Sequence, residues 1–271
     1  MPFTLSHPAA VAPLYSTRLP LSALVIGSMA PDFEYFIRMA QQGRSAHTWP
    51  GVLYLTFPFA WFALAAFHLL LKWPVISLMP GAWQRRMVPP ARKFRWWPFG
   101  HLLLALAGVA VGIATHLLWD AFTHEEGWGV RHWSALRLML FHVGPTRITV
   151  WKLAQHGSTL LGAIVILLYV LRWYRNAPQS EQRLPVRLSP AANLMIVAVC
   201  AFAAVGLGLA RGLSQWTPGP GLSPWQHLAA SFAVTSVTVA VLELVIFSVL
   251  WHLVIEKRQR TRRFRAHVSA D

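Results

Sequence analysis

Five stretches of this chain are apolar almost without interruption, at residues 53–71, 101–122, 157–173, 191–210 and 228–255. A helix needs about 20 such residues to cross a hydrocarbon core of about 30 Å, so the pattern predicts five membrane-spanning helices. Tryptophans at the ends, among them Trp73, Trp97, Trp151, Trp173, Trp216, Trp225 and Trp251, fit the belt in which indole rings settle at the lipid headgroups. A sixth apolar run, 19–30, is too short to span and is ended by Pro31; it predicts a short helix lying on the bundle or in the interface. Asp32 stands where it would cap a following helix over 33–42, stopped at Gly43. No strand-like alternation stands out. The fold class is therefore all-α, a polytopic membrane bundle of about five transmembrane helices with short extracytoplasmic helices.

Composition strengthens this reading. Hydrophobic residues make up 55% of the 271 and charged residues only 12%, against roughly 25% charged in soluble domains. A soluble globule and a disordered chain are both excluded. The single Cys200 leaves no disulfide and no thiolate metal site.

The net charge of +15 would suit nucleic acid were it not gathered beside the apolar runs. One cluster is Arg85, Arg86, Arg92, Lys93 and Arg95; the other is Lys257, Arg258, Arg260, Arg262, Arg263 and Arg265. Such placement points to the bilayer and its anionic headgroups as partners rather than to nucleic acid. Counting Lys and Arg between spans puts the N-terminus outside and the C-terminus in the cytoplasm. A single membrane domain, 1–271, then divides into an extracytoplasmic segment 1–52, a bundle 53–255 and a basic cytoplasmic tail 256–271. The start, interrupted by Pro2, Pro8, Pro13 and Pro20, carries no expected cleavable signal.

Acids are scarce enough to be informative. The second span ends in Thr115-His116-Leu117-Leu118-Trp119-Asp120-Ala121-Phe122-Thr123-His124. At about 100° per residue, His116, Asp120 and His124 form one stripe. Imidazole and carboxylate on one face make half of a site for zinc or a similar divalent ion, and an aspartate at this depth is costly unless paired, coordinated or wetted. The alternative is an ion pair of Asp120 with Arg131 or Arg137. His7, Asp32, Glu34 and His47 precede the first span, and His156 opens the third; all fall on the outer side with the end of span two. His68 and His252, inside spans, read as polar contacts between helices.

The stretches Met1-Pro2-Phe3-Thr4-Leu5-Ser6-His7-Pro8-Ala9-Ala10, Gly27-Ser28-Met29-Ala30-Pro31-Asp32-Phe33-Glu34-Tyr35-Phe36, Thr115-His116 with Asp120, and Gln155-His156-Gly157-Ser158 closely resemble an uncharacterised bacterial integral-membrane family, a domain of unknown function. The chain also looks like a distant relative of the inner-membrane metal-dependent hydrolases, and its order of His, Asp, His, His-x-x-x-Asp and His is similar to that of the zinc-dependent phospholipases C. That resemblance implies His7, Asp32, His47, His116 and Asp120 as metal ligands. His124 follows Asp120 more closely than in the phospholipases, and Leu160 stands where a Glu would follow His156.

The expectation is a metal-dependent hydrolase of the bacterial inner membrane, acting on a lipid or lipid-linked phosphoester or ester at the outer face. It would hold one or two divalent ions, zinc by donor type, through His7, Asp32, His47, His116, Asp120, His124 and His156, with Glu34 or Asp32 as general base. A non-catalytic protein with a structural metal, or a transporter, is the alternative.

Overall fold

The structure, a computed structural model, describes residues 4–40, 43, 45–143, 146–181, 188–216 and 224–257. It is helical almost throughout, and five helices are long and apolar enough to cross a membrane. Two short helices come first, α1 (Leu21–Met29) and α2 (Phe33–Arg38). The first spanning helix, α3, runs over Trp49–Leu78, followed by α4 (Gly81–Lys93) and the second spanning helix α5 (Phe99–Thr123). Short helices α6 (Trp128–His132) and α7 (Ser134–Arg137) lead to the third, α8 (Val150–Asn176). Helices α9 (Pro190–Ser214) and α10 (Pro224–Leu250) complete the five. The first and third extend several residues beyond their apolar runs at one end or both, whereas α5 matches its run to within two residues.

Two expectations need correction. The helix after Pro31 ends at Arg38, not at residue 42: Met39 takes a left-handed backbone conformation, φ 52°, and the amide of Ala40 closes the turn on the Tyr35 carbonyl. Asp32 does not cap it, since residues Ala30–Asp32 already form a 3-10 turn and the carboxylate faces elsewhere. There is also a β-hairpin, β1 (Met139–Val143) paired antiparallel with β2 (Thr146–Thr149). The pairing skips Leu140, so the bulge breaks the period of two that would have betrayed the strand.

The chain forms two compact units. One takes in residues 1–33, 44–64 and 95–176. Here α1 lies on α5 at close quarters: a Cβ added to Gly112 would stand 2.4 Å from the Leu24 carbonyl oxygen, and one on Gly27 would stand 2.4 Å from that of Val109. Gly108 meets Ala23 in the same seam. Small residues four apart let two backbones touch, as in membrane helix pairs generally, and this contact carries the chain beyond α1 to the end of α5. Before α1, residues Thr4–Leu14 form 3-10 turns around Pro8 and Pro13, which remove the amide donors an α-helix would need. Ser6 pins this segment by donating to the Thr159 carbonyl of α8.

The other unit comprises 34–43, 65–94 and 177–271. Gly208 and Gly212 of α9 sit against Phe232 and Leu228 of α10. Within α3, the π-turn Phe67–Leu71 precedes Pro74, whose ring cannot donate to the Leu70 carbonyl four residues back and crowds it. The Nε2 of His252 lies 3.0 Å from that oxygen, satisfying a backbone group that hydrocarbon could not. His68 stacks on Phe94 with ring centroids 3.5 Å apart, and its Nδ1 is 3.4 Å from the Lys72 ammonium. The tail from Arg258 onward lies outside the described residues.

Candidate metal centre

Every group of the candidate centre described here belongs to the first unit. His116 is completely buried on α5. Its Nδ1 lies 2.7 Å from the carbonyl oxygen of Ser28, an acceptor only, so Nδ1 carries the proton and Nε2 presents its lone pair. One turn on, Asp120 Oδ2 is 3.2 Å from that Nε2. A further turn brings His124, whose Nδ1 is 3.3 Å from Asp120 Oδ1.

The segments ahead of the first span supply the rest. Asp32, at the end of the turn after α1, has its Oδ1 3.6 Å from His116 Nε2 and 3.7 Å from His47 Nε2. His47, from the loop before α3, reaches Asp120 Oδ2 at 3.4 Å and His116 Nε2 at 3.3 Å. His7 stacks on His116 with ring centroids 3.7 Å apart, and its Nε2 lies 3.7 Å from Asp120 Oδ1. The edge of Trp119 closes over His7, held by an indole hydrogen bond to Ser158.

The donor set fits a metal on an observation independent of sequence. His7 is buried, yet neither of its ring nitrogens has a hydrogen-bond partner. Buried polar atoms are rarely left so. Burial, with the imidazole of His116 alongside, pushes His7 down to about 3, so the ring is neutral and free to donate a lone pair. Burial likewise pushes the Asp32 carboxyl above its usual range, against the opposing pull of the His116 and His47 imidazoles.

The spacing has the right scale too. Ligand bonds of about 2.0 to 2.2 Å place the donor atoms of a tetrahedral ion about 3.3 to 3.6 Å apart. Around His47 Nε2, His116 Nε2, Asp32 Oδ1 and Asp120 Oδ2, the separations given above run from 3.2 to 3.7 Å. The other oxygen of Asp120 faces His7 and His124, so one carboxylate stands between two groups of donors. Exposure differs across the cluster: His7, Asp32 and His116 are sealed, whereas the side chains of His47 and His124 are each 28% exposed.

Glu34 and His156 are the two further sequence candidates. Glu34 is buried on α2 and accepts a hydrogen bond from Arg38 Nε at 2.7 Å, one turn on. His156 is exposed on α8, and it is its neighbour Gln155 that is buried. Sequence reasoning missed the Ser28 carbonyl. A main-chain acceptor has no residue-type signal, and only the glycine seam between α1 and α5 hinted that this backbone would come so near.

The chain belongs to the family described as a domain of unknown function, DUF4184, whose family model matches residues 1–250. No curated protein and no solved structure matches it.

Proposed function

We propose that this protein is a membrane-embedded, metal-dependent hydrolase of the bacterial inner membrane, acting at the outer face on a lipid or lipid-linked phosphoester or ester. The observation that carries this reading is the meeting of His47 Nε2 and His116 Nε2, 3.3 Å apart, with Asp32 Oδ1 and Asp120 Oδ2, each 3.2 to 3.7 Å from both nitrogens, while the other oxygen of Asp120 faces His7 and His124. Zinc suits such donors. When bound, a divalent ion lowers the pKa of a water and polarises a phosphoryl or acyl oxygen.

The chain's own residues then divide the work. His47, His116, Asp32 and Asp120 would hold one ion. His7, Asp120 and His124 would hold a second with only three protein groups, leaving room for water or a substrate oxygen, which is the difference between a catalytic and a closed site. His116 is oriented by Ser28, and His7 is fixed between His116 and Trp119. The part-exposed side chains of His47 and His124 mark the side from which a headgroup would enter. The lipid substrate is inferred from the membrane setting of the chain.

A structural metal is the second reading, because four protein groups can saturate the first position. Elemental analysis of purified protein beside His116→Ala tests for the metal. Release of headgroup or phosphate from phospholipid vesicles tests for hydrolysis. Bound metal that yields no release from any lipid class offered, and whose removal unfolds the protein, refutes the hydrolase and leaves the structural ion.

A further inference from the structure

Between the second and third spanning helices, the hairpin β1–β2 exposes apolar side chains that the rest of the chain leaves uncovered. Met139, Leu140, Phe141 and Val143 are 47 to 60% exposed. The register sorts the strands into two faces. Phe141 pairs with Ile148 and shares its face with Val143, while His142 pairs with Arg147 on the other. Arg137 precedes the hairpin and Lys152 follows it, and residues 127–152 contain no Asp or Glu. Phe141, Ile148 and Val143 thus make an apolar group on one face, while Arg147 and His142 stand on the other together with Met139.

Its depth follows from the backbone. The amide of Val150, the first residue of α8, bonds to the Leu138 carbonyl, so the hairpin is tied to the very start of a spanning helix. Two strands leave both outer edges with unpaired N–H and C=O groups, which forbids the hydrocarbon core. The exposed apolar face disfavours open water, and a two-stranded hairpin alone in water is only marginally stable. The headgroup layer satisfies both conditions, with acyl chains below and phosphates beside the arginines.

We infer that the hairpin Met139–Thr149 is an interfacial docking element that lies in the headgroup layer of the bilayer and binds anionic phospholipid, its Phe141 face toward the acyl chains and its Arg147 face toward the phosphates. The inference does not depend on the metal centre.

The test uses the full chain with Cys200→Ser, which removes its single cysteine, and a nitroxide placed through Phe141→Cys or, separately, Val143→Cys. Reporters at Glu125 and Leu167 mark water and hydrocarbon. The protein is reconstituted in phosphatidylcholine vesicles, or in vesicles with about one third phosphatidylglycerol to supply negative surface charge. Both hairpin labels should collide several-fold less often with an aqueous nickel complex than the Glu125 label, and less again when phosphatidylglycerol is present. Arg137→Gln with Arg147→Gln should remove that lipid dependence while leaving the apolar insertion. Labels as open to nickel as the one at Glu125, or indifferent to phosphatidylglycerol, would overturn the inference. Spin–spin broadening between copies would overturn it in favour of a protein partner, a second copy of the chain.

Discussion

The Nδ1 of His116 rests 2.7 Å from the main-chain oxygen of Ser28, so the ring at the heart of the cluster is aimed by backbone from a different helix. A ligand aimed in this way cannot be replaced by another nitrogen base nearby. His116→Ala should lose the ion held with His47 and Asp32, read as a fall in the metal-to-protein ratio by elemental analysis of the purified protein. Retention of the wild-type amount would exclude His116 as a ligand.

Asp120 turns one oxygen to His47 and His116 and the other to His7 and His124. If two ions bind, Asp120→Asn should lose both, whereas His124→Ala should leave one. Metal-to-protein ratios decide, and equal ratios for the two variants would rule out a shared carboxylate. His156→Ala should match wild type, since that side chain is exposed on α8.

Gly112→Ala tests how α1 serves the site. The added Cβ would sit 2.4 Å from the Leu24 oxygen and 2.7 Å from the Ser28 nitrogen, which forces α1 off α5. A loss of about 1 to 3 kcal/mol is expected from overpacking of this kind, together with weakened metal retention. Gly157→Ala, whose Cβ meets nothing within 4 Å, should leave retention unchanged. Should both variants hold metal like wild type, the seam does not position Ser28.

Glu34→Gln distinguishes a general base from an ion-pair partner. The carboxylate bonded to Arg38 predicts a modest fall in thermal stability with hydrolysis within a few-fold of wild type. Complete loss of turnover with metal still bound would instead establish Glu34 as the base.

Reporter fusions address orientation. One placed after Asp271 should report cytoplasm, and one inserted after Glu126 should report the outside, because the basic clusters flank the opposite ends of the spans. The reverse result would move the candidate centre to the cytoplasmic face.

Much of the architecture was legible from hydropathy, since spanning length is a demand of the bilayer rather than of any partner. The alignment of His116, Asp120 and His124 follows from four-residue spacing on a helix, with no tertiary information needed. The approach of His7 and Asp32 to that stripe could not be read from spacing, because it depends on how α1 seats on α5. The hairpin escaped notice because Leu140 bulges out of register. The end of α2 escaped because Met39, not a glycine, takes the left-handed conformation. His156, beside Ser158, is placed by helical phase on the exposed face, which the spacing of its neighbours alone does not tell.

His47 and His116 stand 69 positions apart in the chain. An ion gripping both would act as a crosslink in a protein whose single cysteine denies it a covalent one. Closing a loop of that size lowers the entropy of a free unfolded chain by an amount worth about 4 kcal/mol. A chain already threaded through a bilayer has less of that entropy to lose. Such a tie cannot form until the second spanning helix has been made, so the N-terminal third must wait, inserted but unfastened, for a segment synthesised much later. Metal supply during biogenesis would then govern how much of the protein matures, as well as how much of it is active.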